Sequence, residues 1–391
     1  MRKAMRLLCL LLMAAALLSG CVPSRAEGEA RLLCLNIGKA DCMLLSYGGR
    51  YYLIDTGYAQ TYAALETALA QWGVQRLDGV FLTHCHKDHA GGMEALAQSD
   101  IAVEAWYAAE IYYDQKAGKH PASLAAAQRG QQVRWLRAGD VIPAGEGAEF
   151  TVLGPLSVNE ENENNNSLVM RFSCPEGSIL LTGDMKADEE GELLAAGTLT
   201  PCDVLKTGHH GDGGATTLAF LRAVLPRAAV ILTSGFEEPD TPAPSTLSRL
   251  AAAGCAVYVS QQAQDALLVS LRQGKIEIQD VAWTGVPARR QGLALQIDGT
   301  EDTVTIRNNA ATAQTLSGCF LFSTKGEDRL ELPEITLAPG QEYVVGSRAT
   351  TGERDFTWDK KRVWHVKKRD QAILYDAWGR PLAYADNGIA E

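Results

Sequence analysis

The stretch THCHKDHAGG, residues 83–92, carries the residue spacing that decides the fold. It follows an apolar run at residues 79–82 that predicts a β-strand. Three imidazoles at relative positions 1, 3 and 6, with a carboxylate at position 5, can meet only if the chain turns tightly at a strand end. Neutral imidazole and carboxylate suit Zn²⁺, or Mn²⁺ and Fe²⁺ where oxygen ligands dominate. The pattern therefore predicts a metal site rather than a solvated histidine-rich loop.

The segments around this turn predict a mixed α/β layer architecture that extends to about residue 278. The predicted strands and hairpins lie at residues 32–37, 42–47, 50–54, 79–82, 141–153, 167–181, 203–206, 229–233 and 256–278. Helical patterns lie at residues 61–72 and 245–253. From about residue 304, short β-prone runs between Gly, Pro and Asn predict a small β-sandwich. Residues 284–292 are the predicted linker.

The composition is that of an ordinary globular protein of two or three domains. The chain has 391 residues, of which 46% are hydrophobic and 21% are charged. Its net charge of −11 argues against general binding of polyanions. Seven of the nine cysteines lie beyond residue 21, widely spaced and without a C-x-x-C pair. We therefore expect buried free thiols rather than a zinc ribbon or a disulfide framework.

The first twenty residues have the pattern of a targeting segment. A basic start is followed by an apolar run at residues 7–18 and then by small residues, which is typical of a signal peptide. The sequence LLSGC at residues 17–21 resembles the bacterial lipobox, which implies that Cys21 is lipidated and becomes the mature N-terminus. Two acyl chains would hold the protein on the extracytoplasmic face of the cell membrane. An ordinary cleaved signal peptide is the alternative.

The histidine-rich block resembles the metal-binding motif of the metallo-β-lactamase superfamily. Further segments resemble one branch of it, the hydrolase domain of the DNA-uptake competence protein ComEC and its secreted relatives. These segments, in the order of the branch, are LNIGKAD at residues 35–41, IDTG at 54–57, NNNSLV at 164–169, LTGD at 181–184 and VLKTGHHG at 204–211. The resemblance implies an α/β fold, the αββα sandwich, for a hydrolase domain at residues 21–284, after a lipoprotein signal peptide at 1–20.

The resemblance also implies two divalent metal ions, with zinc preferred and manganese or iron as alternatives. The implied ligands are His84 and His86 for one metal, Asp88, His89 and His209 for the other, and Asp184 between them. The sequence leaves the choice between His209 and His210 open; His209 is preferred as the ligand, with His210 beside the substrate. Asp55 is expected to orient His84 or His86, the alternative being a turn or helix-capping aspartate.

Asp88, Asp184 and His210 are the predicted catalytic residues. Asn166, Ser167 and Lys206 are candidates for binding the non-bridging oxygens of a phosphodiester. For Asn166 and Ser167, a loop that caps a strand is an equal alternative.

The chain departs from the family pattern at two places. Many members have another histidine ligand before the bridging aspartate, and the only candidate here is His120, which we expect in a surface loop. Asp212 and Ala243 stand where the ComEC-like branch usually has a serine and a histidine. Contacts on the phosphate side are therefore expected to differ from those of the branch.

The predicted function is that of a surface-anchored hydrolase that cleaves phosphodiesters by means of a hydroxide held between two metals. Extracellular nucleic acid is the preferred substrate. A phosphoester on a cell-envelope polymer, such as phosphorylcholine on teichoic acid, is one alternative, and lactone or β-lactam hydrolysis on the same platform is another. A non-catalytic binding role is disfavoured because the main metal-ligand set is complete. No obligate protein partner is evident.

The C-terminal segments at residues 304–309, 316–318, 337–340 and 373–379 resemble a lamin-tail-type domain, an immunoglobulin-like sandwich expected at residues 285–391. Between them lies the basic run KKRVWHVKKR, residues 360–369. It is interpreted either as a strand pair that binds polyanions by charge and stacking or as a solvated edge strand guarded by lysines. The first interpretation predicts that catalysis and polymer binding are divided between the two domains.

Overall fold

The structure is a computed structural model, and it describes residues 28–112, 118–235 and 237–389. The predicted signal segment and Cys21 lie outside the described residues. No helix within the described ranges has both the length and the apolar character needed to cross a membrane.

The α/β part contains seventeen strands within the described residues. They are β1 (Ala30–Leu35), β2 (Met43–Tyr47), β3 (Arg50–Ile54), β4 (Arg76–Leu77), β5 (Gly79–Leu82), β6 (Ala102–Val103), β7 (Trp106–Ala109), β8 (Val133–Leu136), β9 (Val141–Gly145), β10 (Ala148–Gly154), β11 (Val169–Cys174), β12 (Gly177–Leu181), β13 (Val204–Lys206), β14 (Ala228–Ile231), β15 (Ala256–Val259), β16 (Ala266–Arg272) and β17 (Lys275–Val281). The α-helices are α1 (Tyr62–Gln71), α2 (Lys87–Ala90), α3 (Met93–Gln98), α4 (Pro121–Gln128), α5 (Ala187–Ala196), α6 (Leu218–Val224) and α7 (Pro244–Ala252).

Two large sheets face each other across a shared core. The first has the strand order β17-β16-β1-β2-β3-β5-β7-β8, and the second has the order β15-β14-β13-β12-β11-β10-β9. Between them pack aromatic side chains of both sheets, including Phe81 from the first and Phe150 and Phe172 from the second. Separate apolar clusters lie under the helices on the outer faces, as at Leu65 of α1 and Phe220 of α6. The four layers form an αββα sandwich.

Each large sheet contains a parallel section, and the carboxyl ends of these sections point to the same edge of the sandwich. Strands β3, β5, β7 and β8 are parallel in the first sheet, and β12 to β15 are parallel in the second. Ligand sites of open α/β sheets lie beyond such carboxyl ends. Asp55 directly follows β3, whereas His84, Asp184 and His210 lie two, three and four residues after the ends of β5, β12 and β13.

The C-terminal part is all-β and has its own core. Its strands are β18 (Leu293–Asp298), β19 (Thr303–Asn308), β20 (Gln314–Thr315), β21 (Phe320–Ser323), β22 (Asp328–Glu331), β23 (Thr336–Leu337), β24 (Glu342–Gly346), β25 (Phe356–Thr357), β26 (Gln371–Tyr375) and β27 (Pro381–Asp386). The sheets β18-β19-β24-β25 and β22-β21-β26-β27 enclose a core that includes Val304, Leu321 and Trp364. We call this part the sandwich.

The basic run at residues 360–369 is a loop between β25 and β26 and forms neither of the predicted strands. Trp364 is 1% exposed and packs edge-on against Trp358, with ring centroids 5.9 Å apart. Lys360 pairs with Asp328 at 2.6 Å. The expectation that this tryptophan stacks on nucleic acid is therefore wrong, because its ring is part of the core.

His120 also differs from the expectation of a surface loop. It is 1% exposed and precedes Pro121, the first residue of α4. Its ring lies 5.2 Å from the rings of Tyr112 and Trp135, centroid to centroid. It belongs to none of the clusters that could hold a metal among the described residues.

The prediction of free thiols is confirmed. The seven cysteines in the described ranges are unpaired with one another, and five of them are buried. Burial raises the pKa of Cys255 and Cys319 to about 11, so these thiols are kept in their neutral form.

Candidate metal centre

The first ligand cluster is built by the turn after β5. His84 Nε2 lies 3.0 Å from His86 Nδ1 and 3.7 Å from Asp184 Oδ2, and the three residues have ligand atoms close enough to hold one ion. Burial, helped by the neighbouring His89, lowers the pKa of His84 well below its ordinary value. This ring is therefore neutral, which is the form that binds a metal.

The second cluster combines the start of α2 with loops after β12 and β13. Its members are Asp88, His89, Asp184 and His210. Asp184 Oδ2 lies 3.2 Å from His89 Nε2 and 3.4 Å from His210 Nε2, and the latter is 3.2 Å from Asp88 Oδ2. Because Asp184 takes part in both clusters, one carboxylate joins two adjacent sites.

The structure distinguishes the environments of His209 and His210, between which the sequence could not choose. His210 is fully buried, and its Nδ1 lies 2.8 Å from the carbonyl oxygen of Leu232, so its Nε2 is directed into the cluster. His209 is partly exposed, lies 3.9 Å from Asp184 and contacts Asn164 at 3.2 Å. The geometry places His210 in the second cluster and His209 at its edge, the reverse of the preferred assignment.

Both histidines adopt left-handed backbone conformations, with φ of 43° at His209 and 54° at His210. Such conformations are costly for residues other than glycine and persist where the surrounding structure imposes them. The turn directs the two rings to different environments.

Asp55 follows β3 and lies behind the two clusters. It accepts hydrogen bonds from the backbone N–H of Thr83 at 2.8 Å and from its hydroxyl at 2.7 Å, and it contacts His89 Nδ1 at 2.8 Å. With Nδ1 engaged in this way, His89 Nε2 faces Asp184. The geometry is that of a residue that orients a ligand, and the ligand that it contacts is His89 rather than the expected His84 or His86.

Asp41, in the LNIGKAD segment, is a further buried residue of the centre that the sequence analysis did not single out. It forms an ion pair with the equally buried Lys206 and lies 3.4 Å from His210 Nδ1. Burial would raise the pKa of Asp41, but the Lys206 ammonium together with His89 and His210 outweighs this effect and lowers it. Its only sequence signal was its place in that family motif.

Lys206 requires a correction of its predicted role in substrate binding. Its side chain has no exposed surface, and its ammonium donates to the carbonyl oxygen of Gly183 at 2.9 Å besides pairing with Asp41. A cation held in this way cannot reach a substrate oxygen. The structure places Lys206 behind the cluster, where it neutralises Asp41 and holds the backbone before Asp184.

Asn166 and Ser167 stabilise the loop before β11. The Asn166 amide bonds with the backbone of Asn159, and the Ser167 hydroxyl donates to the carbonyl of Asn164 and accepts from the N–H of Asp184 at 2.9 Å. These contacts agree with the alternative interpretation of both residues, in which they belong to a loop that caps a strand. Asn164 is the residue of this loop that reaches the edge of the cluster, through His209.

The residues present fit metal cations. Within the part of the chain that the structure describes, His89 Nε2 and Asp184 Oδ1 are buried without a hydrogen-bond partner. Burial would lower the pKa of His89, but the surrounding carboxylates, of which Asp184 and Asp55 have the largest effects, together raise that pKa well above its ordinary value. The centre therefore has a surplus of buried negative charge that protons or metal cations must neutralise.

The comparisons with known proteins agree with this geometry. The family described as the Metallo-beta-lactamase superfamily matches residues 35–235, and the chain belongs to this superfamily. The predicted fold class is thereby confirmed, and the chain has a candidate metal site.

Individual relatives share only a part of their length with this chain. ComE operon protein 3 of Bacillus subtilis is 29% identical over 225 residues, which are 53% of this chain and 28% of that protein. Recombination protein 2 of Haemophilus influenzae is 29% identical over 221 residues, 55% of this chain and 26% of that protein. The chain thus spans less than a third of these curated relatives. The solved structure of Igni18, a metallo hydrolase from Ignicoccus hospitalis, covers 65% of this chain and 100% of its own, at 16% identity and a TM-score of 0.40.

Proposed function

We propose that this chain is a binuclear metal-dependent phosphodiesterase that acts on nucleic acid. The observation that carries the proposal is the shared position of Asp184, whose Oδ2 lies within 3.7 Å of His84, His89 and His210 in two adjacent clusters. A carboxylate shared in this way suits two metals held close together. Pairs of metals about 3.5–4 Å apart are typical of phosphoester hydrolysis.

The residues of the chain have distinct tasks in this proposal. His84 and His86 would hold one metal, Asp88, His89 and His210 would hold the other, and Asp184 would bridge them. When bound, such metals supply Lewis acidity that lowers the pKa of a water molecule and polarises the attacked phosphoryl group.

Residues around the ligands fix their orientation. Asp55 and the carbonyl of Leu232 hold the Nδ1 atoms of His89 and His210, which leaves both Nε2 atoms for metal. His209 and Asn164 lie at the edge of the cluster and are the candidates for contacts with the phosphoryl oxygens. The name of one relative, Recombination protein 2, refers to recombination and supports nucleic acid as the substrate.

A substrate panel tests this proposal. Purified protein reconstituted with zinc or manganese is assayed on bis-p-nitrophenyl phosphate, single-stranded DNA, p-nitrophenyl phosphorylcholine and nitrocefin. We expect the protein to hydrolyse bis-p-nitrophenyl phosphate and single-stranded DNA. The substitution Asp184→Asn should abolish this activity. The control Asp280→Asn, at an exposed position on β17, should retain it. Hydrolysis of nitrocefin or of the choline ester alone would overturn the assignment.

We further propose that the protein is anchored at the extracytoplasmic face of the membrane through Cys21. The support is the LLSGC sequence after a signal-like segment. Cells that express the full chain should incorporate labelled palmitate into it, and Cys21→Ser should abolish the label. Unchanged membrane association of that variant would indicate another means of retention.

A further inference from the structure

A cavity of about 970 Å³ lies beside the metal centre, and both domains line it. The hydrolase domain contributes His86 and Asp88, together with the aromatic ring of Tyr58. The sandwich contributes Phe322 and Arg329 among others. A volume of this size is typical of a pocket that encloses a small molecule or one unit of a polymer.

The sandwich presents an unusual face to this cavity. Phe322 on β21 pairs directly with Arg329 on β22 and with Ile373 on β26, so the three side chains lie in one row on one face of the sheet. Phe320 and Tyr375 lie on the same face and form an apolar cluster with Ile373, separate from the sandwich core. The outward face of a free sandwich is usually polar. This face of the sandwich instead carries buried apolar side chains, as expected of a surface that packs against another part of the protein.

Buried and interdomain contacts hold the sandwich at this position. Arg380, whose side chain is 3% exposed, donates to Asp265 of the hydrolase domain at 2.6 Å and to Asp376 of the sandwich at 2.7 Å. The amide of Gln60 donates to the hydroxyl of Tyr375 at 3.5 Å. These contacts make the sandwich a wall of the cavity.

The charges at the cavity are largely balanced. Lys39 lies 3.9 Å from Glu238, Lys87 forms an ion pair with Glu327, and Arg329 lies 2.6 Å from Glu331. Such a lining does not form a track for a run of phosphates. Arg329 also stacks on Phe320, with its guanidinium carbon 3.5 Å from the ring centroid, which adds a flat surface beside Phe322.

We infer that this cavity binds the nucleobase next to the scissile phosphate, with Phe322 and Arg329 of the sandwich as specificity-determining residues. The inference rests on the proposed function. Aromatic and guanidinium surfaces stack on bases. The amides of Gln60 and Gln371 and the hydroxyl of Thr324, which also line the cavity, can hydrogen-bond to a base edge. A quaternary ammonium offers no groups that could hydrogen-bond to these side chains. The substrate is then a single strand or a strand end.

The test measures ligand binding to the full-length, zinc-loaded protein by calorimetry. The probes are thymidine 5′-monophosphate, phosphorylcholine and inorganic phosphate. We expect the nucleotide to bind at least about tenfold more tightly than phosphate. Phe322→Ala and Arg329→Ala should each weaken nucleotide binding at least about fivefold and change phosphate binding less than about twofold. The control Arg307→Ala removes another exposed sandwich arginine, 3.2 Å from Glu342 and outside the cavity, and should change neither.

The outcomes separate this inference from the proposed function. If the protein cleaves bis-p-nitrophenyl phosphate but binds the nucleotide no better than phosphate, the nucleobase pocket is overturned and the phosphodiesterase proposal stands. The same conclusion follows if Arg329→Ala, a substitution of a half-exposed side chain, behaves like Arg307→Ala. If no phosphodiester is cleaved yet selective nucleotide binding is lost in Phe322→Ala and Arg329→Ala, the pocket stands and the reaction is wrong. Preference for phosphorylcholine over the nucleotide would overturn the pocket.

Discussion

At the scale of single residues, His209 and His210 show why neighbouring side chains of one type can differ in role. The sequence pattern predicts six ligands because their spacing in the motifs is distinctive, and five of these lie in the two clusters. The sixth depends on left-handed backbone at both histidines and on a carbonyl of Leu232, twenty-two positions away. No local pattern reports such a contact.

Metal content distinguishes the two histidines. We expect His210→Ala to lose about one metal per chain, because it removes a buried ligand of the second cluster. His209→Ala should keep its metal content and lose turnover, since His209 lies at the edge of the cluster. Elemental analysis after dialysis measures the difference. Loss of metal in His209→Ala alone would restore the assignment that the sequence preferred.

Because the carboxyl of Glu237 is buried, we expect the stability of the folded protein to depend on pH. It is 6% exposed, and burial raises its pKa from 4.5 to about 7. The folded chain therefore keeps a proton that the unfolded chain has lost, and the stability tied to this group declines as pH rises from about 4.5 to 7. In metal-free protein, Glu237→Gln should become more stable than the parent over this range, by about 3 kcal/mol at pH 8.

Urea unfolding at several pH values measures this difference. Glu149→Gln, an exposed control on β10, should show none of it. A stability difference for Glu237→Gln that is constant with pH would contradict the assigned burial effect.

At the scale of elements, periodicity and turn residues predict most strands of the α/β part and its helices α1 and α7, but they miss helices α4, α5 and α6. They fail at residues 360–369, where six basic residues on either side of Val363 and Trp364 suggest a strand. In the structure Val363 and Trp364 turn into the sandwich core, while Val366 is 48% exposed. A charged loop with a buried aromatic anchor has no periodic signature, so its conformation is set by tertiary packing.

We expect Trp364→Ala to lower the free energy of unfolding by about 3–5 kcal/mol, because it leaves a cavity in the sandwich core. Val366→Ala in the same loop should change it by less than about 0.5 kcal/mol. Denaturant unfolding gives both values. If both substitutions change the free energy of unfolding equally little, Trp364 is not buried in the core, and the loop is exposed to solvent as its composition suggested.

At the scale of the whole molecule, the sandwich and the metal centre share a cavity. The sequence predicts that catalysis and polymer binding are divided between the two domains, because charge and motifs are read from each segment of the chain separately. The contact between Gln60 and Tyr375 joins positions 315 residues apart. Contacts of this kind depend on how two folded domains dock, and the linker pattern at residues 284–292 carries no information about it. Arg289 within it is itself bound, since it donates to the carbonyl of Asn36 at 2.8 Å.

Arg380 is the residue on which this docking can be tested. Its removal would leave Asp265 and Asp376 buried without their cation, so Arg380→Ala should lower the free energy of unfolding by about 3–5 kcal/mol. We also expect the two domains to unfold in separate thermal transitions by calorimetry. A single transition at the parental temperature would show that the docked arrangement does not depend on this residue.

The most direct test of the central claim is a metal titration of activity. Metal-free protein is titrated with zinc or manganese, and hydrolysis of bis-p-nitrophenyl phosphate is followed against the metal bound per chain. The account predicts that the rate rises until about two metals are bound and then stays constant, and that Asp184→Asn shows no rise. Hydrolysis at full rate without metal, or metal binding at two sites with no hydrolysis of any phosphodiester, would contradict it.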